Sequence, residues 1–138
     1  PVLQLSIDYS KPADYHYQLA KELSALRKKG VLIIGSGNMV HNLGLIAWDK
    51  MKTDDYAFEW ATDASTKMKK CILSGDYEPL INFRSQGKAF DLAIPTPEHF
   101  LPLLYTLALK EDNEQISLFN DKAVAGSLTM TSVKITKI

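Results

Sequence analysis

Two short segments of the chain combine residue types that can bind a metal or transfer a proton. The segment 35–42 contains His41, and the segment 95–100 contains Glu98 next to His99. An imidazole exchanges its proton near neutral pH and is a common metal ligand, and an adjacent carboxylate offers a second ligand. The sequence has three histidines, and two of them lie in these segments. We therefore expect a metal or acid–base site built from both.

The elements around the first segment predict how it is positioned. Residues 2–7 and 31–35 are apolar, strand-like runs, and apolar residues recur at helical spacing between residues 15 and 26. This pattern predicts a helix of about five turns that starts at 10–12 and ends before Gly30. Strand, helix and strand in this order favour a right-handed crossover and a parallel sheet with buried strands. The segment 35–42 would then follow a buried strand, where α/β proteins often bind ligands.

The later elements are predicted from their start and stop signals. Asp54 and Asp55 suggest the N-cap of a second long helix that ends at 74–75, and shorter helical turns are expected around 80–83 and 90–93. The Ser-, Thr- and Val-rich tail predicts a terminal β-hairpin, with strands in 116–119 and 123–135 and a turn at 120–122.

The start of the helix near His99 has two solutions. Thr96 can cap a helix whose first residue is Pro97, but Pro102 would then kink it. Alternatively the helix begins near Phe100, which makes Pro102 a first-turn residue and leaves His99 in the preceding loop. In either case His99 lies near a helix N-terminus.

These elements predict an α/β fold with a mostly parallel central sheet, flanking helices and a C-terminal β-hairpin. The 138 residues, 46% apolar and 23% charged, fit one domain over 1–138, which we expect to be part of a larger α/β domain. The strand-like run begins directly after Pro1, with no lead-in. We therefore expect a fragment whose sheet presents an edge or face for the missing part to cover.

Composition argues against several classes of function. Sixteen basic and sixteen acidic side chains cancel, so no broad positive field favours nucleic acid or anionic lipid. No apolar run approaches the about 18 residues that a membrane span needs. Cys71 is the single cysteine, which excludes an intramolecular disulfide and indicates a buried, inert thiol. We expect a soluble, cytoplasmic protein with neither a nucleic-acid nor a membrane partner.

Other interpretations of the glycines and histidines are weaker. Gly35-Ser36-Gly37 is similar to the opening of a dinucleotide fingerprint, but Val40 occupies the position where glycine or alanine is needed. The glycines are better interpreted as permitting a sharp turn and a close approach to another segment. His16 lies at helical spacing between tyrosines, which favours a surface or sheet-packing position.

Three blocks of sequence resemble a known family when they are taken together. These blocks are Val-Leu-Ile-Ile-Gly-Ser-Gly-Asn-Met-Val-His-Asn-Leu at 31–43, Pro-Thr-Pro-Glu-His-Phe-Leu-Pro-Leu-Leu at 95–104 and Gly-Ser-Leu-Thr-Met-Thr-Ser-Val at 126–133. They are similar to the C-terminal half of the class III extradiol ring-cleavage dioxygenases, in the 4,5-DOPA dioxygenase extradiol-like branch. The resemblance covers essentially the whole chain, and members of the family are about twice as long.

The resemblance implies roles for residues of this chain. His41 matches the family's acid–base histidine, which takes a proton from a catechol hydroxyl and later returns it. His99 matches the residue that completes the metal site, and Glu98 is the alternative ligand. The expected metal is non-haem Fe(II), and zinc could occupy the same site.

The resemblance also implies the rest of the reaction. The substrates would be a DOPA-like catechol and O₂, and Ser36, Gly37 and Asn38 would shape the wall near the catechol. Two further histidine ligands would come from the N-terminal half, so we expect this chain alone to be inactive. A non-catalytic module that binds a metal or small molecule with the same fold is the alternative.

Overall fold

Six α-helices carry most of the regular structure. The computed structural model describes residues 1–138, and the helices are α1 (Ala13–Glu22), α2 (Ser24–Arg27), α3 (Glu59–Ser74), α4 (Glu78–Ile81), α5 (Lys88–Ala93) and α6 (Leu101–Ala108). Single 3₁₀ turns occupy Leu43–Leu45, Trp48–Lys50 and Phe83–Ser85. None of the helices combines the length and the apolar character needed to cross a lipid bilayer.

The first predicted helix is divided in two. The N–H of Leu23 bonds to the carbonyl of Ala20 at 2.9 Å, a tighter spacing than in an α-helix, and α2 restarts one residue later. The helical region ends as predicted before Gly30, which has a φ of 81°. His16 is completely buried on α1 and contacts the hydroxyl of Tyr105 on α6 through Nδ1 at 3.0 Å. The predicted surface or sheet-packing position of His16 is therefore wrong, because the residue is buried against a helix.

Helix α3 forms because apolar residues recur along one of its faces. Its buried residues are Ala61, Ala64, Ser65, Met68, Cys71 and Ile72, and Gly75 ends the helix at a left-handed φ of 76°. The predicted N-cap is wrong, because Phe58 occupies that position. Asp54 instead pairs with Lys122, and the carboxylate of Asp55 accepts the N–H of Ala123 at 2.7 Å.

The core lies between α3, α5, α6 and the residues around Val40. Its largest fully buried apolar side chains are Phe90, Phe100, Met68, Ile72, Leu80, Ile94, Leu101, Leu104, Leu107 and Val40. Cys71 lies at the edge of this cluster and is 7% exposed, as expected for a structural thiol. Its burial raises the pKa of the thiol. The two segments with candidate site residues are thus attached directly to the packed core.

The C-terminal strands form two nested antiparallel pairs. Strand β1 (Glu114–Phe119) pairs with β4 (Ser132–Lys137), so that Glu114 lies opposite Lys137 and Phe119 opposite Ser132. Between them, β2 (Ala123–Val124) pairs with β3 (Leu128–Thr129). The predicted pairing of two C-terminal strands is present. The predicted turn at 120–122 and the continuous strand over 123–135 are wrong, because the connection between β1 and β4 runs over 120–131 and contains the smaller β2–β3 hairpin.

The predicted mostly parallel central sheet is not formed. Residues 2–7 and 31–35 belong to no strand, and the two sheets contain only antiparallel pairs. Leu3 is 94% exposed, Leu32 81% and Ile34 78%. A strand needs a neighbouring strand to pair its N–H and C=O groups, and no segment of this chain lies beside these runs in that way. The observed class is α/β with helices and small antiparallel pairs.

Candidate functional site

Helix α6 begins late enough to leave His99 in the turn before it. Phe100 precedes the helix, and Pro102 lies in its first turn, where a missing N–H costs nothing. The carbonyl of Pro97 accepts the N–H groups of Phe100 and Leu101, each at 2.9 Å. The second of the two predicted solutions is confirmed, and the turn presents the His99 ring at the surface.

The glycine-containing segment packs its backbone directly on this turn. A Cβ added to Gly37 would lie 2.0 Å from the carbonyl oxygen of His99, and one added to Gly35 would lie 2.5 Å from that of Pro102. The N–H of Asn38 donates to the His99 carbonyl at 2.8 Å. The close approach expected from these glycines is therefore present. A larger residue at either position would push the two segments apart.

Hydrogen bonds hold the segment 38–42 between two others. On one side, the N–H of His41 donates to Ala93 at 2.9 Å and the side-chain amide of Asn42 to Leu92 at 2.8 Å. On the other side, the N–H of Asn42 donates to the Ser127 carbonyl at 3.1 Å, and the Ser127 hydroxyl donates back to the Asn42 carbonyl at 2.8 Å. Blocks 31–43, 95–104 and 126–133 therefore meet at one place.

This arrangement brings His41 and His99 together. Their ring centroids are 5.2 Å apart, and the ring planes make an angle of 41°. His41 is 6% exposed, whereas His99 is exposed. One imidazole is thus buried behind another that faces solvent.

Both ring nitrogens of His41 face carbonyl oxygens. Nδ1 lies 3.1 Å from the oxygen of Asn38, and Nε2 lies 2.9 Å from the oxygen of Thr96. Burial lowers the pKa of His41 below its ordinary value of 6.5, and the Thr96 carbonyl opposes this shift. A neutral ring has one N–H, so it satisfies one oxygen and turns a lone pair toward the other. The second nitrogen is therefore a proton acceptor without a donor.

Glu98 lies beside the pair but is held by its own turn. The hydroxyl of Thr96 donates to its carboxylate at 2.7 Å. That hydrogen bond is the main reason why the pKa of Glu98 is lowered, and the nearby imidazoles lower it slightly further. The carboxylate is half-buried and ionised at neutral pH, so it can act as a metal ligand or as a counter-charge.

The residues predicted to line the substrate wall differ in their surroundings. Ser36 and Gly37 are exposed, in the loop between residues 31–35 and His41. Asn38 is half-buried, and its amide nitrogen donates to the carbonyl of Thr129 at 2.8 Å. Asn38 is therefore already committed to a contact within the protein.

This chain fits a part of a metal site. It contains no group of three or more His, Cys, Asp or Glu side chains that could hold a metal. His99 is exposed and can coordinate from its loop, whereas both His41 nitrogens are directed at carbonyls. Stable binding takes three or more ligands. His99 and Glu98 are therefore too few to hold a metal ion stably by themselves.

Sequence reasoning missed the residues that hold the site in place. Asn42, Ser127 and the carbonyls of Thr96 and Thr129 make its principal hydrogen bonds. Ser127 and Thr129 belong to the block 126–133 that carries the family resemblance, and the structure shows both to be buried. The neighbours of this block along the chain do not reveal which residues it contacts.

Comparisons with known proteins find relatives that match the whole length of this chain. The chain is 40% identical over 138 residues to the 4,5-DOPA dioxygenase extradiol of Escherichia coli K12, covering 98% of this chain and 49% of that protein. It is 32% identical over 139 residues to the protein of that name from Portulaca grandiflora, covering 100% and 50%. The chain is homologous to about half of the length of proteins named 4,5-DOPA dioxygenase extradiol. No protein-family model matches the sequence.

A solved structure agrees with this assignment. The crystal structure of an uncharacterized protein from Escherichia coli K12 superposes with a TM-score of 0.81 at 37% identity, over 93% of this chain and 52% of that one. The chain spans about half the length of the relatives it matches. This coverage is consistent with the C-terminal half of the family.

Proposed function

We propose that the protein to which this chain belongs opens the aromatic ring of a catechol with O₂ at a non-haem metal. The observation that supports this most directly is the meeting of His41 and His99, whose ring centroids are 5.2 Å apart. Relatives of twice the length bear the name 4,5-DOPA dioxygenase extradiol, which suggests a DOPA-like catechol as substrate.

The metal would be held by His99, or by Glu98 in its place, together with ligands outside this chain. Bound Fe(II), for which zinc could substitute structurally, would supply open coordination positions at which a catecholate and O₂ can meet. His99 suits this role because its ring is exposed on a turn fixed by backbone hydrogen bonds. Ser36 and Gly37, exposed beside it, would form part of the catechol-binding wall.

His41 would transfer the proton. Its lowered pKa keeps the ring neutral at physiological pH. In the neutral ring, one of the two nitrogens that face carbonyl oxygens carries no proton and can accept one. To accept a proton from a catechol hydroxyl, the ring would rotate so that one nitrogen leaves its carbonyl partner and reaches the substrate. Such acid–base assistance contributes a factor of about 10² to 10⁴ in rate.

The complementary half would cover a groove beside the unpaired segment 31–35. The groove has a volume of about 620 Å³ and is lined on its other side by Phe119, Val133 and Ile135. Lys134 and Lys137 also border it. An extended apolar segment with acidic side chains would pair with the unpaired backbone groups of 32–35 and neutralise these lysines.

Association can be tested without using the catalytic residues. Leu32→Glu should abolish binding of the complementary half in size-exclusion chromatography, because Leu32 borders the groove and is 81% exposed. Leu73→Glu is the matched control, since Leu73 is 59% exposed on α3 and does not line the groove. Equal association of both variants would show that the half docks elsewhere.

The catalytic proposal is tested on the full-length protein loaded anaerobically with Fe(II). We expect it to consume one O₂ per catechol in an oxygen electrode and to yield a coloured semialdehyde. His99→Ala should lose metal and activity together, whereas His41→Gln should keep the metal and lose about 10² to 10⁴ in kcat. An Fe(II)-loaded protein that consumes no O₂ with any catechol would refute the proposal.

One observation favours the alternative of a non-catalytic binding module. His41 is buried with both nitrogens directed at carbonyl oxygens, as in a histidine with a purely structural role. That alternative predicts that the full-length protein binds zinc or a small aromatic molecule while O₂ uptake stays at the background rate.

A further inference from the structure

We infer that Asn38 is a positioning residue that sets the placement of His41 and His99. The inference rests on the proposed function, whose metal and acid–base groups Asn38 would orient. It gives Asn38 a role that needs no contact with the substrate, unlike the expected place in the catechol-binding wall.

Asn38 contacts both histidines through its backbone. Its N–H donates to the carbonyl of His99 at 2.8 Å, and its carbonyl lies 3.1 Å from Nδ1 of His41. One peptide segment thus bonds to the main chain that carries one imidazole and to the ring of the other. A rotation of the backbone at Asn38 would change both contacts at once.

The side chain of Asn38 prevents that rotation. Its amide nitrogen donates to the carbonyl of Thr129 at 2.8 Å, and Thr129 is 5% exposed on β3. The N–H of Thr129 in turn donates to the carbonyl of Val40 at 3.1 Å. The amide therefore ties the loop to a buried strand that is itself bonded to the same loop two residues later.

One N–H of the Asn38 amide is held by the part-buried Thr129 carbonyl, and this bond fixes the orientation of the side chain. Losing it would leave that carbonyl without its donor, which costs free energy in a part-buried site. Hydrogen-bonding partners of metal-ligand residues alter metal affinity by about 10- to 100-fold when they are removed. Asn38 acts on His99 in this indirect way, through the main chain.

The test compares Asn38→Ala with Asn120→Asp. Asn120 is the matched control because its amide also donates to a backbone carbonyl of the same region, that of Met130 at 3.3 Å, but it contacts neither histidine. Aspartate tolerates the positive φ of 51° at position 120. Asn38→Asp serves as a second, isosteric variant if the alanine variant folds poorly.

Three readouts separate the possible roles of Asn38. In the full-length protein, Asn38→Ala should weaken Zn²⁺ binding in calorimetry by about tenfold or more and should lower kcat for a catechol with KM unchanged. In this chain, it should shift the imidazole ¹⁵N NMR signals of His41 and His99, whereas the Asn120 variant should leave them in place.

The outcomes also distinguish this inference from the proposed function. A raised KM with unchanged zinc affinity and unchanged imidazole signals would overturn the inference and make Asn38 a substrate contact. If the wild-type full-length protein binds no metal and cleaves no catechol, the proposed function fails. The inference then stands or falls on the imidazole signals alone.

Discussion

Replacing Gly37 with alanine should destabilise the protein through a single close contact. The added Cβ would lie 2.0 Å from the carbonyl oxygen of His99 and 2.9 Å from its carbonyl carbon, whereas Cβ contacts below 3.0 Å essentially do not occur. Both partners belong to the main chain, so no side chain can rotate away. The backbone at residue 99 must move by about 1 Å or more, a distance at which core contacts and hydrogen bonds are already lost.

The magnitude follows from three contributions. Overpacking costs about 1 to 3 kcal/mol, and loss of the bond from the N–H of Asn38 to His99 adds about 0.5 to 1.5 kcal/mol. The reduced freedom of alanine in the unfolded chain returns about 0.4 to 1 kcal/mol. We expect Gly37→Ala to lower the free energy of unfolding by about 2 kcal/mol.

Urea unfolding followed by circular dichroism measures this difference. Gly44→Ala is the control, because a Cβ at Gly44 has no neighbour closer than the 3.4 Å of Asn42 Oδ1. Its free energy of unfolding should remain within about 0.5 kcal/mol of the wild type. If the two variants unfold at the same urea concentration, the close approach of residues 37 and 99 does not contribute to stability and the reasoning is refuted.

The remaining predictions concern charge. Burial lowers the pKa of His16 and of His41 below the 6.5 of an ordinary histidine. The unfolded chain therefore binds more protons than the folded chain below pH 6.5, so the free energy of unfolding should fall as the pH is lowered from 6.5. Urea unfolding at a series of pH values measures this dependence. His16→Phe should make the free energy of unfolding depend less steeply on pH, and an unchanged dependence would contradict the contribution assigned to His16. Arg27 forms an ion pair with Glu114, whose side chain is 3% exposed. The hydrogen bond from Arg27 is the main reason why the pKa of Glu114 is lowered. Arg27→Met should therefore cost about 3 kcal/mol in thermal or urea unfolding. Lys122→Met breaks the exposed ion pair with Asp54, so its free energy of unfolding should stay near that of the wild type. Equal losses of stability in the two variants would show that burial of Glu114 does not strengthen its ion pair.

Local signals in the sequence predicted the elements that depend on local physics. Helix α3 follows from the spacing of its apolar residues and from Gly75, and α6 follows from Pro102, because each signal acts within one or two turns. The two long C-terminal strands follow from their β-forming residues, whereas the long connection between them does not, because it depends on a second pair of strands. The two histidine-bearing segments were likewise recognisable, since chemistry-bearing residues beside element ends are visible in the sequence.

Tertiary structure decided which of these parts meet. No local rule predicts that Ser127 and Asn38 bond to partners far away in the chain, or that His41 and His99 come within 5.2 Å. The parallel sheet fails for the same reason in reverse: an apolar run becomes a strand only when another strand supplies its hydrogen-bond partners. The pattern of apolar residues can be read from one segment of the sequence. Strand pairing and the distance between two side chains depend on two segments that are far apart in the chain.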